Sequence, residues 1–239
     1  MEFVLHLLLK ALGGDFVNSY PTASKELVIP AIPNQLPKAG QRASASHTLR
    51  ILTPGDVNTT FTLEVLSADG KFIPVGMSSR SIEAGVVSEF SFEPKISASA
   101  FAVRITSPEP IVASVSSSVT ISRHKDFVWS TATPPLTPMS VAVTGLSPLI
   151  AFAGDSIAVK VQAKLVNGKT VSASVKGSDI ATWRVPANAR SITIVSSSKG
   201  VFAGALIAST NGYGFIPIVN GSALTRVEVP NSNIRVLNP

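Results

Sequence analysis

The sequence predicts an all-β protein: two tandem immunoglobulin-like β-sandwiches related by an internal repeat, behind an irregular N-terminal arm. Three observations predict it. After about residue 40 the apolar residues recur with period two and almost never with helical spacing. Asp-Gly and Asn-Gly follow two of these runs, where a hairpin would turn. Short motifs then recur in the same order about 90–100 residues later, the mark of a duplicated unit.

Composition sets the outer limits. The 239 residues are 45% hydrophobic and 14% charged, with mean hydropathy +0.35. A disordered chain has few apolar residues and many charges, so wholesale disorder is excluded. No apolar run reaches the roughly 18 residues of a spanning helix, so no transmembrane helix is readable. Cysteine is absent, which removes disulfides, zinc–thiolate sites and thiol chemistry.

Residues 1–46 read as the arm. The start, MEFVLHLLLKAL, lacks a basic leader, carries Glu2, and is interrupted by His6 and Lys10. It is a poor secretory signal. A short packed helix or strand is expected, or a chain that begins further upstream. Pro21, Pro30, Pro33 and Pro37 follow, with Leu27-Val28-Ile29 between them. Prolines this dense oppose helix and central strand, leaving an extended segment with one edge strand.

Residues 47–138 form the first sandwich. Phe61, Leu63 and Val65 alternate with Thr60, Thr62 and Glu64, as in a strand with one face on a core and one in water. Asp69-Gly70 then predicts a type I′ turn. Residues 139–239 form the second sandwich. Ile157, Val159, Val161, Ala163 and Leu165 alternate with Ala158, Lys160, Gln162 and Lys164, and Asn167-Gly168 marks the next hairpin. The two copies match at Pro54-Gly55-Asp56 with Ala153-Gly154-Asp155, at Ile111-Val112-Ala113 with Val201-Phe202-Ala203, and at Phe127/Trp129 with Tyr213/Phe215. Those aromatic pairs are expected to pack into their cores, with Trp129 and Trp183 as core or boundary residues. Pro134, Pro135 and Pro138 make the join a stiff extended linker.

The order of Pro54-Gly55-Asp56, the Asp69-Gly70 hairpin, Ile111-Val112-Ala113, and Asp126-Phe127-Val128-Trp129 before Pro134-Pro135-Leu136 resembles a family of actinobacterial secreted or membrane-anchored proteins of unknown function. The resemblance covers roughly residues 48–239. It implies a cell-envelope or extracellular location, and it carries over no activity and no catalytic residue. Such proteins begin with an anchor or export signal, from which this N-terminus departs.

Catalytic groupings are sparse. Glu83, Glu89 and Glu93 are the closest carboxylates and read as a solvated rim. His124, between Arg123 and Lys125, reads as a turn residue whose neighbouring cations disfavour its protonation. No Gly-x-Ser-x-Gly elbow, phosphate loop, dinucleotide fingerprint or metal-ligand spacing occurs. The expectation is therefore no enzyme, no cofactor and no metal.

Charge is asymmetric. Residues 1–139 carry 11 Lys and Arg against 11 Asp and Glu; residues 140–239 carry 9 against 3. Lys160, Lys164 and Lys176 are expected on one outward hairpin face, with Lys169 after the turn and Arg184 and Arg190 near in sequence. Such a face suits an anionic polymer; lysine on strands also simply opposes edge-to-edge pairing. No aromatic is interleaved with these lysines, so nucleic acid is not expected. The sequence thus points to a non-enzymatic exported envelope protein with a structural or interaction role, whose partner is a cell-wall polymer or another envelope protein. The alternatives are a binding module for anionic wall polymer or glycan through this basic face, and a two-domain pilus-type chaperone acting by strand addition.

Overall fold

The computed structural model describes residues 22–34, 43–121, 124–143, 146–208 and 213–220. The side chains of residues 43, 44, 119–121, 124, 125 and 208 lie outside that description, as does the apolar start of the chain. The described residues are all-β, without a helix, and build two curled sheets that each wrap an apolar core.

The first module holds β1 (Ser24–Pro33), β2 (Ala43–Leu52), β3 (Thr59–Ser67), β4 (Gly70–Phe72), β5 (Arg80–Ile82), β6 (Ser88–Phe92), β7 (Ala100–Ile121) and β8 (His124–Thr131). The long β7 serves both layers. Its first half pairs with β1 and β3, and its second half with β2 and β8. Pro108 and Pro110, which cannot donate to a ladder, stand between the halves. Phe61, Leu63, Val65, Leu49, Ile51 and Phe101 fill the core between the layers.

The second module holds β9 (Met139–Ala142), β10 (Leu149–Leu165), β11 (Thr170–Arg184), β12 (Ala189–Ser197), β13 (Phe202–Ala208) and β14 (Tyr213–Pro217). Its ladders pair in the same order as those of the first module, with local register shifts. Leu63↔Ile105 corresponds to Val161↔Ile194, and Ile51↔Ala113 to Phe152↔Ala203. Ser114↔Thr131 corresponds to Gly204↔Pro217, and Ile29↔Val103 to Val141↔Ile192. The copies differ where the loop between β2 and β3 becomes a bulge inside β10. By the ladders Ala153 takes the place of Leu52, so the Pro54 and Ala153 motifs matched in the sequence are not at equivalent positions. A Cβ on Gly154 would lie 2.6 Å from the Gly200 carbonyl oxygen, so glycine lets the bent strand pass.

Several expectations change. The edge strand expected in the arm is present as β1, ten residues long, but it belongs to the first module and is buried from Leu27 to Pro33. The proline rule still operates: β1 is bonded by a ladder on one side only, and a bulge at Pro30–Ala31, with Ala31 at φ 56°, absorbs the ring. The hairpins after β3 and β10 are not type I′. Positive φ falls on Gly70 and Gly168 alone, not on Asp69 or Asn167.

The proline-rich join is docked rather than free. The Thr133 N–H donates to the Val28 carbonyl at 3.1 Å, covering the open side of β1, and the Leu136 N–H donates to Val201 at 2.6 Å. A third apolar cluster then joins the modules. Val28, Ala31, Leu66, Ala100 and Ala102 of the first meet Ala151, Ala153, Ile180 and Leu206 of the second, with Tyr213 and Phe215 alongside. Alanine on both sides lets the sheets approach closely. A Cβ on Gly204 would stand 2.7 Å from Phe215 and 3.0 Å from Pro30. Around this patch Arg104 reaches Asp155 of the other module at 3.1 Å and Glu26 and Glu64 of its own at 3.4 and 3.6 Å.

The aromatic expectation fails in an informative way. Phe127 and Trp129 lie on the outward face of β8, because Val128 and Ser130 take the inward positions. Phe127 is 50% exposed. Their counterparts Tyr213 and Phe215 pack in the inter-module cluster instead of the second core, whereas Trp183 packs partly buried against that core.

Candidate functional site

The second module offers the face predicted from charge. Inward Ile157, Val159, Val161 and Ala163 fix the register of β10, so Lys160, Gln162 and Lys164 must point outward. Across the ladder, Ser174 stands opposite Lys160, Ser172 opposite Gln162, and Thr170 opposite Lys164. Lys176, opposite Ala158, lies diagonal to Lys160 at a Cα spacing of about 7–8 Å. Lys160 and Lys164 are about 13 Å apart along the strand. On the other flank Ser191 and Thr193 of β12 continue the face, and Ser140 of β9 shares a 2.9 Å hydroxyl contact with Thr193. These paired rows contain no acidic side chain.

The structure thus brings Lys160, Lys164 and Lys176 together. Lys169 sits at the hairpin end, where its N–H bonds the Asn167 side chain. Arg184 stands at the opposite end of β11, paired with Leu149 and bonded to the Ser147 carbonyl, away from this face.

The repeat supplies an internal comparison. The same positions in the first module form the surface on which the second module docks. There Thr62, Glu64, Leu66, Ala102 and Val28 occupy the places of Lys160, Gln162, Lys164, Ser191 and Ser140. In the second copy the face is open, its acid has become an amide, and its apolar side chains have become lysine and serine. Close lysines with no acid among them sum to a positive potential that favours an anionic ligand.

The remaining titratable groups are dispersed. Glu89 pairs with Arg50, and Glu83 lines an open groove of about 730 Å³ with Asn58, Thr60, Ser81 and Glu109. The side chain of His124 lies outside the described residues. Among those described, no group of three or more His, Asp or Glu side chains could hold a metal ion.

Sequence reasoning gave no role to His47. It is 1% exposed, its Nδ1 lies 2.9 Å from Ser117 Oγ, and its ring packs 5.0 Å from Phe101 and 5.6 Å from Phe92. Burial lowers its pKa to about 4, so the ring is neutral at pH 7. A His–Ser contact at this depth offers no path to a substrate. Its outward signal, a histidine in phase with Leu49 and Ile51, was present in the alternation.

Known proteins place the chain in a family. No curated protein matches it. Among solved structures it is similar to the PBSX exported protein XepA, at 12% identity over 77% of this chain and 82% of that one, with a TM-score of 0.28. A likeness that faint carries no argument about fold or role. The family of unknown function DUF5719 matches residues 4–189. That span starts ahead of β1 and ends at the first residue of β12, well over half the chain, so the protein belongs to the DUF5719 family of unknown function.

Proposed function

We propose that this is a non-enzymatic protein exported to the cell envelope, with a structural or interaction role. Its two modules act as one body, and the second holds an anionic wall polymer or glycan through Lys160, Lys164 and Lys176. The observation that carries this reading is the contrast between equivalent faces. One is apolar and spent on docking the modules; the other is open, hydroxylated and basic. The envelope location rests on the motif resemblance and is tested by fractionating cells that express the tagged full chain. Recovery in the wall or medium supports it, and recovery only in the cytosol removes it.

Binding is tested on purified cell-wall preparations. The full chain is expected to be retained at low salt and released near 1 M, where the screening length is about 3 Å. Replacing Lys160, Lys164 and Lys176 together by serine should abolish retention without changing the fold, since all three are solvent-facing. Retention unchanged in that variant, or none at low salt, contradicts the reading.

A further inference from the structure

We infer that the outward face of the first module's second layer, built by β6, β2, β7 and β8, binds a neutral glycan by stacking on Phe127 and Trp129. The inference is independent of the basic face, which lies on the other module. The repeat isolates the feature that needs explaining. The equivalent face of the second module carries Ala151, Gly204 and Leu206 beside Tyr213 and Phe215, and is buried in the inter-module cluster. In the first module those three positions hold Arg50, Ser114 and Ser116. The neighbours have become polar, but both aromatics remain, and Phe127 is half exposed. Rings on a face that does not dock the modules have surface to offer a ligand, Phe127 more than the partly buried Trp129.

The chemistry of the face fits a sugar. Phe127 and Trp129 are two residues apart on one strand face, so the rings rise from positions about 7 Å apart, on the scale of a pyranose ring. The C–H face of a pyranose gains by leaving water for an aromatic surface. Ser116 stands opposite Trp129, Ser118 opposite Phe127, and Thr48 opposite Ser116, so hydroxyls that donate and accept flank the rings. Arg50 lies over the Trp129 ring, 4.9 Å from its centroid, and is paired with Glu89. That arrangement orients the indole before a ligand arrives. Beside the two rings, Arg50 and Glu89 pair with each other and cancel, and Asp126, on the opposite side of β8 from the rings, accepts from the Tyr213 N–H at 2.7 Å. A neutral chain is therefore favoured over a polyanion.

The test uses the full chain with Trp183→Phe, which leaves Trp129 as the sole tryptophan. Cello- and chito-oligosaccharides of four to six sugars (roughly the reach of the face) are titrated while Trp129 fluorescence is followed. A saturable change that survives high salt, and an affinity weakened about three- to tenfold by Phe127→Ala, are expected. Should Trp183→Phe not fold, the unsubstituted chain and Phe127→Ala are compared by mobility in native gels cast with hydroxyethyl cellulose or glycol chitin. No saturable change or retardation with any of these sugars overturns the proposal, as does a response that Phe127→Ala leaves intact or that salt abolishes.

Discussion

Acidification should weaken the fold through His47, in a pH range separate from that of the carboxylates. The ring is buried beside Ser117 and two phenylalanines, and its pKa falls from an ordinary 6.5 to about 4. In the unfolded chain the ring takes a proton below pH 6.5; in the folded protein it does so only near pH 4. Its contribution is therefore complete above pH 6.5, declines between 6.5 and about 4, and is gone below. A difference of about 2.5 units at 1.36 kcal/mol per unit gives about 3 kcal/mol across that window. Asp69, held low chiefly by hydrogen bonds from Ser97, and Asp155, held low chiefly by Arg104, act in the same sense, since the unfolded chain again takes the proton more readily than the folded protein. Each lowers its pKa from 3.8, so their contributions are lost mainly below the His47 window. Urea unfolding at several pH values between about 7 and 4.5 measures the slope. The control is His47→Phe with Ser117→Ala, which removes both polar partners and avoids stranding the Ser117 hydroxyl. The double variant should be flatter by most of that 3 kcal/mol. Equal slopes in the two proteins, or a folded-state His47 titration near 6.5 by NMR, would refute the reasoning.

Three further outcomes follow from the packing. Gly204→Val should destabilise the protein by about 1–3 kcal/mol in chemical denaturation, because its side chain would enter space held by Phe215 and Pro30. Gly154→Ala should cost a similar amount, since the Gly200 carbonyl is backbone and has little room to retreat. Asp155→Asn should change stability by less than about 1 kcal/mol at pH 7, since the carboxylate is largely exposed and its pair with Arg104 is screened.

The alternations at Phe61–Val65 and Ile157–Leu165 were legible because each strand keeps polar side chains on one face, half-buried at Thr62 and Glu64 and exposed at Lys160 and Lys164. The Lys160, Lys164 and Lys176 grouping was legible for the same reason: period two fixes which side chains share a face. What escaped were strands buried on both sides. Leu27–Ile32 and Ala151–Ala153 owe their second buried face to module docking, and alanine there gives no local hint of a partner surface. At β8 the period correctly grouped Phe127 with Trp129 but could not say which side was inward. Hydropathy favoured the aromatics, whereas the structure places Val128 and Ser130 inside.

The central claim is that the two copies are fused through a shared apolar cluster rather than strung on a stiff linker. Each module carries one tryptophan, Trp129 in the first and Trp183 in the second. Replacing each in turn by phenylalanine yields proteins that report on one module apiece. Denaturant unfolding followed by the remaining tryptophan should give coincident midpoints and slopes in the two proteins, and Gly204→Val should pull them apart. Two well-separated transitions in the otherwise unaltered chain would contradict the fused architecture.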